Sequence, residues 1–150
     1  MKAVVQRVNR ASVTVDDKPI AKIGPGLLVL LAIEKGDGES EKRWSAEKIV
    51  NLRIFPDDEG HMNRSVRDTG GEILLVPNFT VAGNCRKGRR PSFDKASLPG
   101  EAQPMFLEMA EKIRQAGVRI QTGVFGAHMQ VEILNDGPVT LIVDTSVRRS

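Results

Sequence analysis

A single cysteine, Cys85, among 150 residues excludes an intrachain disulfide, a pattern suited to a reducing cytosol. Tyrosine is absent and aromatics make up 4% of the chain, so there is little platform for stacking the successive bases of a nucleic acid strand. Two histidines, His61 and His128, stand without a second thiol. That makes no metal cluster of recognisable spacing, and neither a metal nor a cofactor is expected. No glycine-rich phosphate loop of the P-loop or dinucleotide type is present. The longest apolar run, Leu27 to Ile33, falls far short of the ~20 residues that span a bilayer. The opening segment Met1-Lys2-Ala3-Val4-Val5-Gln6-Arg7 carries charge where a signal peptide needs an apolar stretch. The expectation is a cytoplasmic protein with no membrane partner.

What is present fits one domain over residues 1–150, large enough to bury a core without staples. An apolar fraction of 40% and a charged fraction of 27% are ordinary for a globular protein. A formal charge of +3 permits an anionic partner without requiring one. Its location says more: Arg86-Lys87-Gly88-Arg89-Arg90 places four cations in five residues, and Arg148-Arg149 adds two.

Val4–Val8 and Ala11–Val15 alternate with period two and read as two strands. Asp16-Asp17-Lys18-Pro19 is a turn, Ile20–Ile23 a short strand, and Leu27–Ile33 a strand buried on both faces. Glu41–Leu52 suits a helix, with Trp44, Ile49 and Leu52 on its inner side, and Pro56–Gly60 is a turn. Glu72–Val76 is a further apolar strand. Ala82–Gly100 is polar, basic and loop-like, the kind of long connection that is usually functional or mobile. The strongest helix runs from about Gly100 to Ala116: Met105, Phe106, Met109, Ala110 and Ile113 recur at three and four, and Gly117 sits where a C′ glycine belongs. That methionine stripe is core. Two strands, Ala127–Leu134 and Val139–Val143, follow, and Asp144–Ser150 reads as a tail. Seven or so strands with two main helices predict an α/β protein with a mixed or antiparallel, barrel-like sheet.

Candidates for chemistry are few. Asp16-Asp17 and Asp57-Asp58-Glu59 lie in turn-like segments, where acids serve turn geometry and solubility. Ser92 and Thr80 are possible nucleophiles, but neither has a histidine or lysine base at motif spacing. At Val76-Pro77-Asn78-Phe79-Thr80-Val81 an apolar strand ends at a proline and presents Asn, an aromatic and Thr. Such a strand end is either an ordinary bend or a place where fixed N–H groups face a developing oxyanion. The Arg86–Arg90 segment is either a solvated loop or a set of phosphate contacts with salt-dependent affinity. Asn135-Asp136-Gly137-Pro138-Val139-Thr140, between two strand-like runs, reads locally as a loop closing a hairpin. Its glycine also admits close approach of another chain, and its proline fixes φ and removes a donor.

Taken in order, these segments resemble the D-aminoacyl-tRNA deacylases, editing enzymes that hydrolyse D-amino acids off tRNA. The match runs from Gln6-Arg7-Val8 and Ala11–Val15 through Gly26–Leu31, Arg53-Ile54-Phe55, Met62-Asn63 and Phe79-Thr80. It continues with Arg90-Pro91-Ser92-Phe93, Gln121-Thr122-Gly123 and Met129-Gln130-Val131, and ends with Asn135–Thr140. The resemblance implies a homodimer with a β-barrel-like fold and a site at the dimer interface, acting on aminoacyl-tRNA. Gly137-Pro138 matches the family's Gly-cisPro motif, which reaches into the partner's pocket. Rigid carbonyls where an L side chain would lie exclude L substrates by clash, while glycine, having no side chain, escapes rejection. Arg7 matches the residue that holds those carbonyls in orientation. Phe79 and Thr80 match the strand end whose amides face the scissile ester, with Asn78 and Met129 as further motif positions. No side chain acts as an essential base in the family; the 2′-OH of the terminal adenosine assists water, so catalysis is positioning and oxyanion stabilisation.

One departure stands out. Most family members carry Ser-Gln before Phe-Thr, whereas this chain has Pro77-Asn78. A related animal branch shares the proline and accepts certain L-aminoacyl-tRNAs, but it departs at the Gly-Pro segment and at the Phe, where this chain keeps the usual residues. The chain is therefore expected to reject L substrates. Two other readings stay open: a non-catalytic nucleic-acid-binding dimer using Arg86, Lys87, Arg89, Arg90 and the basic tail, and an esterase with Thr80 as nucleophile.

Overall fold

A computed structural model describes residues 1–148. Its first strand, β1 (Lys2–Val15), joins the two runs read separately from the sequence into one strand of 14 residues. Two strands were expected because the alternation changes phase: Ala3 and Val5 are buried, then Val8, then Ala11 and Val13. Asp16 and Asp17, both at positive φ, turn the chain into β2 (Lys18–Ile23), the left-handed geometry that a two-residue hairpin favours. Lys18 and Pro19 thus belong to the strand, not to the turn.

The main sheet runs β2-β1-β3-β6-β7, with β8 also on β1. Here β3 is Gly26–Ala32, β6 Glu72–Pro77, β7 Arg119–Thr122 and β8 Gln130–Asp144. β1 pairs antiparallel with β2, β3 and β8, whereas β3–β6 and β6–β7 are parallel. The sheet is therefore mixed, as expected, although the short β7 was not foreseen. It curls until its ends meet: the Lys22 N–H donates to Gln121 Oε1 at 2.8 Å.

Residues in β3 and β6 alternate between two cores. Leu28, Leu74 and Val76 join Val8, Val13 and Ile23 inside the curl. Leu27, Val29, Leu31, Ile73 and Leu75 face the helices α1 (Glu39–Asn51) and α3 (Pro99–Gln115). With both faces buried these strands read as continuous apolar runs, and each buried Leu or Ile contributes about 1.5–3 kcal/mol. Gly26 permits the close approach of β3 to β6, since a Cβ there would lie 1.9 Å from the Glu72 carbonyl oxygen.

The inner side of α1 is Ser45, Ala46, Ile49 and Val50, with Trp44 and Leu52 only half-buried at its rim, a correction to the expected face. In α3, Phe106, Met109, Ala110 and Ile113 are buried core as expected, and Gly117 takes φ +89° just beyond the helix. A small ribbon, β4 (Phe55–Pro56) with β5 (Met62–Arg64), flanks the turn read at Pro56–Gly60, and a one-turn helix, α2 (Val66–Thr69), follows it. The segment after β8 is anchored at its start: Thr145 is buried, and the Met1 ammonium donates to Thr145 Oγ1 at 2.8 Å and to Asp37 at 2.6 Å. Of the basic pair at the end, Arg148 bonds Glu41 at 2.6 Å, and Arg149 lies outside the described residues.

Candidate active site

Local reading of Asn135–Thr140 as a hairpin loop does not hold. Ala127–Leu134 and Val139–Val143 do not pair with each other; their residues from Gln130 onward belong to one strand, β8, and both halves pair with β1. The register runs Val8↔Asn135 and then Gln6↔Thr140. The residues between are extruded as a wide bulge on a continuous strand. The length of β1 is the cause, because it offers one partner to both runs.

The bulge is held on three sides. Asn135 Nδ2 donates to the Arg7 carbonyl at 2.9 Å and to the Val139 carbonyl at 3.1 Å, closing the neck. Arg7 Nη1 donates to the Ile54 carbonyl at 2.6 Å, and its Nε reaches the Asp136 carbonyl at 3.3 Å and the Asp136 carboxylate at 3.2 Å. Gly137 sits at φ +131° and the Gly137-Pro138 peptide is cis. A Cβ on Gly137 would lie 2.8 Å from Val139 Cγ2 and 3.4 Å from Arg7 Nη2. The guanidinium thus lies against the glycine.

The second element is the end of β6. After Pro77 the Asn78 N–H completes the sheet by donating to the Leu31 carbonyl at 2.8 Å. The chain then enters a 3₁₀ turn, Phe79–Ala82, whose first bond runs from the Val81 N–H to the Asn78 carbonyl at 3.2 Å. The N–H groups of Phe79 and Thr80 precede that bond and have no partner among the described residues. Phe79 is 59% exposed. Thr80 Oγ1 donates to Asn78 Oδ1 at 2.5 Å, so Asn78 and Thr80 form one unit. Met129 packs on the inner core beneath it, its Sδ 2.7 Å from where a Cβ on Gly123 would lie, a position itself 3.3 Å from Pro77 Cδ.

These two elements are not together within one chain. Arg7, beside the bulge, pairs with Leu27 of β3, whereas Pro77, before Phe79, pairs with Leu31. Four residues of strand, at about 3.3 Å each, separate them by about 13 Å along the sheet. Arg86, Lys87, Arg89 and Arg90 form an exposed loop that returns to Phe93, whose ring meets Phe79 edge-on at 5.1 Å. Asn135 and Ile54 stand in the motif segments of the sequence without a structural role there. An asparagine opening a bulge is a weak signal, and a carbonyl such as that of Ile54 has none.

A family model described as D-Tyr-tRNA(Tyr) deacylase matches residues 4–144. The D-aminoacyl-tRNA deacylase of Geobacter sulfurreducens is 53% identical over 150 residues, 100% of this chain and 99% of that protein. That of Carboxydothermus hydrogenoformans is 55% identical over 144 residues, 96% and 99% of the two chains. Among solved structures, the c-Myc DNA Unwinding Element Binding Protein superposes with a TM-score of 0.92 at 44% identity, covering 97% of this chain and 99% of that one. A probable eukaryotic D-amino acid tRNA deacylase shares the fold, with a TM-score of 0.81 at 18% identity over 95% and 97%.

Proposed function

The chain belongs to the D-Tyr-tRNA(Tyr) deacylase family, and from that premise we propose that it hydrolyses the ester joining a D-amino acid, or glycine, to the 3′-terminal adenosine of tRNA. The observation that carries this reading is the pair of unused N–H groups on Phe79 and Thr80 at an exposed strand end. Water adds to the ester carbonyl, the oxyanion that forms accepts from those amides, and the adenosine oxygen leaves with a proton. Fixed donors of this kind stabilise charge that develops only in the transition state. The tRNA's own 2′-OH orients the water, so no protein base is needed. Thr80 as nucleophile fits less well, because its hydroxyl points at a neutral amide oxygen that accepts a hydrogen bond but does not take the proton.

Chirality is read by the Gly137-Pro138 bulge of a second copy. The separation of bulge and strand end within one chain supports this arrangement: a complete site needs one element from each of two subunits. β8 pairs with β1 alone among the described residues, and its Ile133, Leu134, Leu141 and Ile142 are exposed, an open apolar edge suited to a homodimer contact. Deacylation of D-tyrosyl-tRNA against L-tyrosyl-tRNA at equal enzyme concentration tests the proposal; rapid loss of the D ester alone is expected, and equal rates on both would sink it. A second reading, nucleic-acid binding without turnover, is favoured by the 44% identical c-Myc DNA Unwinding Element Binding Protein and by the basic loop. It requires that neither ester be cleaved.

A further inference from the structure

The strongest feature that the deacylase reading leaves unused is the segment between Asn84 and Ser92. These two residues exchange backbone hydrogen bonds, Asn84 N–H to Ser92 O at 2.7 Å and Ser92 N–H to Asn84 O at 2.9 Å, which closes the segment into a finger. The Asn84 side chain accepts from the Arg86 N–H at 3.0 Å, and Gly88, at φ +64°, turns the tip. Arg86, Lys87, Arg89 and Arg90 are all exposed on it, and none forms an ion pair among the described residues.

The foot of the finger is fixed to the candidate site. Phe93 meets Phe79 at 5.1 Å with rings 72° apart. Gly83 fits between the Thr80 carbonyl and the Phe93 ring, since a Cβ there would lie 2.8 Å from the Thr80 carbonyl oxygen and 3.0 Å from the Phe93 ring. Beyond Phe93 the chain is stitched to the main sheet's rim, Lys35 N–H to Lys95 O at 2.9 Å and Ser97 N–H to Ile33 O at 3.0 Å.

We propose that this finger grips the phosphate backbone of the tRNA acceptor stem while the 3′ end lies at Phe79-Thr80. The proposal rests on the deacylase reading. Each arm of about three residues extends about 10 Å from the bridge, a span of about three phosphates of one strand at ~3.4 Å each. The tip carries no aromatic residue and Phe93 is committed to Phe79, so the contact is to phosphate charge and not to stacked bases. Unpaired exposed cations give a contact without sequence preference.

The test compares the wild-type protein with Arg86→Gln/Lys87→Gln/Arg89→Gln/Arg90→Gln, a change confined to exposed side chains. Uncharged tRNA binding is measured as a function of salt, and deacylation is measured on D-tyrosyl-tRNA and on a D-tyrosylated three-nucleotide fragment of its 3′ end. With about three phosphates neutralised, wild-type affinity falls by about 40-fold between ~50 and 200 mM salt, at ~0.9 per phosphate in the logarithmic slope. The variant is expected to lose most of that slope, to raise KM for tRNA more than it lowers kcat, and to lose the preference for tRNA over the fragment. A variant with the wild-type slope and preference overturns the finger's role. A wild-type protein that cleaves neither ester overturns the deacylase reading instead, and a slope still lost in that case leaves a nucleic-acid grip serving no such chemistry, which also overturns the proposal as stated.

Discussion

Replacing Gly137 with alanine perturbs the bulge where it has least room. The new Cβ would lie 2.8 Å from Val139 Cγ2 and 2.9 Å from Val139 N, on a backbone at φ +131°. Bringing those contacts to an ordinary 3.5–4.0 Å requires a displacement of roughly 0.5–1 Å, and an L residue held in so sparsely populated a conformation costs about 1–3 kcal/mol. Either response moves the carbonyls that the proposal uses to reject L substrates. The ladder on both sides, Val8↔Asn135 and Gln6↔Thr140, lies outside the change, so the fold survives and the thermal midpoint falls by about 2–4 °C per kcal/mol. If the strain is relieved at the pocket, the ratio of kcat/KM for D-tyrosyl- over L-tyrosyl-tRNA falls by about 5- to 150-fold. Single-turnover deacylation of both esters, below the midpoints of both proteins, measures it. A destabilised Gly137→Ala protein with an unchanged D/L ratio would refute the reasoning and make the bulge a purely structural feature.

Arg7→Lys should cost about 1.5–3 kcal/mol in urea denaturation, because a point ammonium cannot replace a fork that reaches both the Ile54 carbonyl and Asp136, and the D/L ratio should fall with it; full retention of both would count against the grip. Gly26→Ala should be among the most damaging single changes, by more than about 4 kcal/mol, since its Cβ would lie 1.9 Å from the Glu72 carbonyl oxygen, whereas Gly24→Ala, with nothing within 4 Å, should denature like the wild type. Acid stability carries a signed expectation. The His61 N–H holds the Asp57 carboxyl below its ordinary 3.8, and the Ser65 N–H does the same for Asp68. A depressed folded value gives stability that is present above the ordinary one and is lost as pH falls through the folded one. The thermal midpoint should therefore hold from pH 7 to about 5 and drop below about 4, with a shallower acid limb in Asp57→Asn/Asp68→Asn; an unchanged limb would place the acid sensitivity elsewhere.

Core-forming segments were the legible part of the sequence. Leu27–Leu31 and Ile73–Val76 read as continuous apolar strands because both of their faces are buried, and Phe106, Met109 and Ile113 recur at helical spacing because one face is. Less legible were features fixed by a partner distant in the chain. β7 is only four residues long and takes its identity from β6. The inner face of α1 is set by where α3 and the sheet lie, so small Ser45 and Ala46 are buried while Trp44 stays at the rim. For the candidate site, the resemblance pointed to Phe79, Thr80, Gly137 and Arg7, whose roles belong to the proposal, whereas the partners that hold Arg7 and the bulge, the Ile54 carbonyl and the Asn135 amide, came from geometry alone.

The misreading of Asn135–Thr140 as a hairpin bears on what the segment can do. A hairpin loop is pinned at one end and free at its tip. A bulge inside a continuous strand is pinned at both flanks by the ladder to β1, and here it is also tied across its neck by Asn135 and braced from behind by Arg7. Rejecting an L side chain by clash requires carbonyls held to within about 0.5 Å, because a mobile tip would move aside and admit the wrong enantiomer. The same bracing explains why the element is carried on β8. β8, paired with β1 alone among the described residues, carries the exposed Gly137-Pro138 bulge about 13 Å along the sheet from its own Phe79, and it is this separation that leads the proposal to a second subunit.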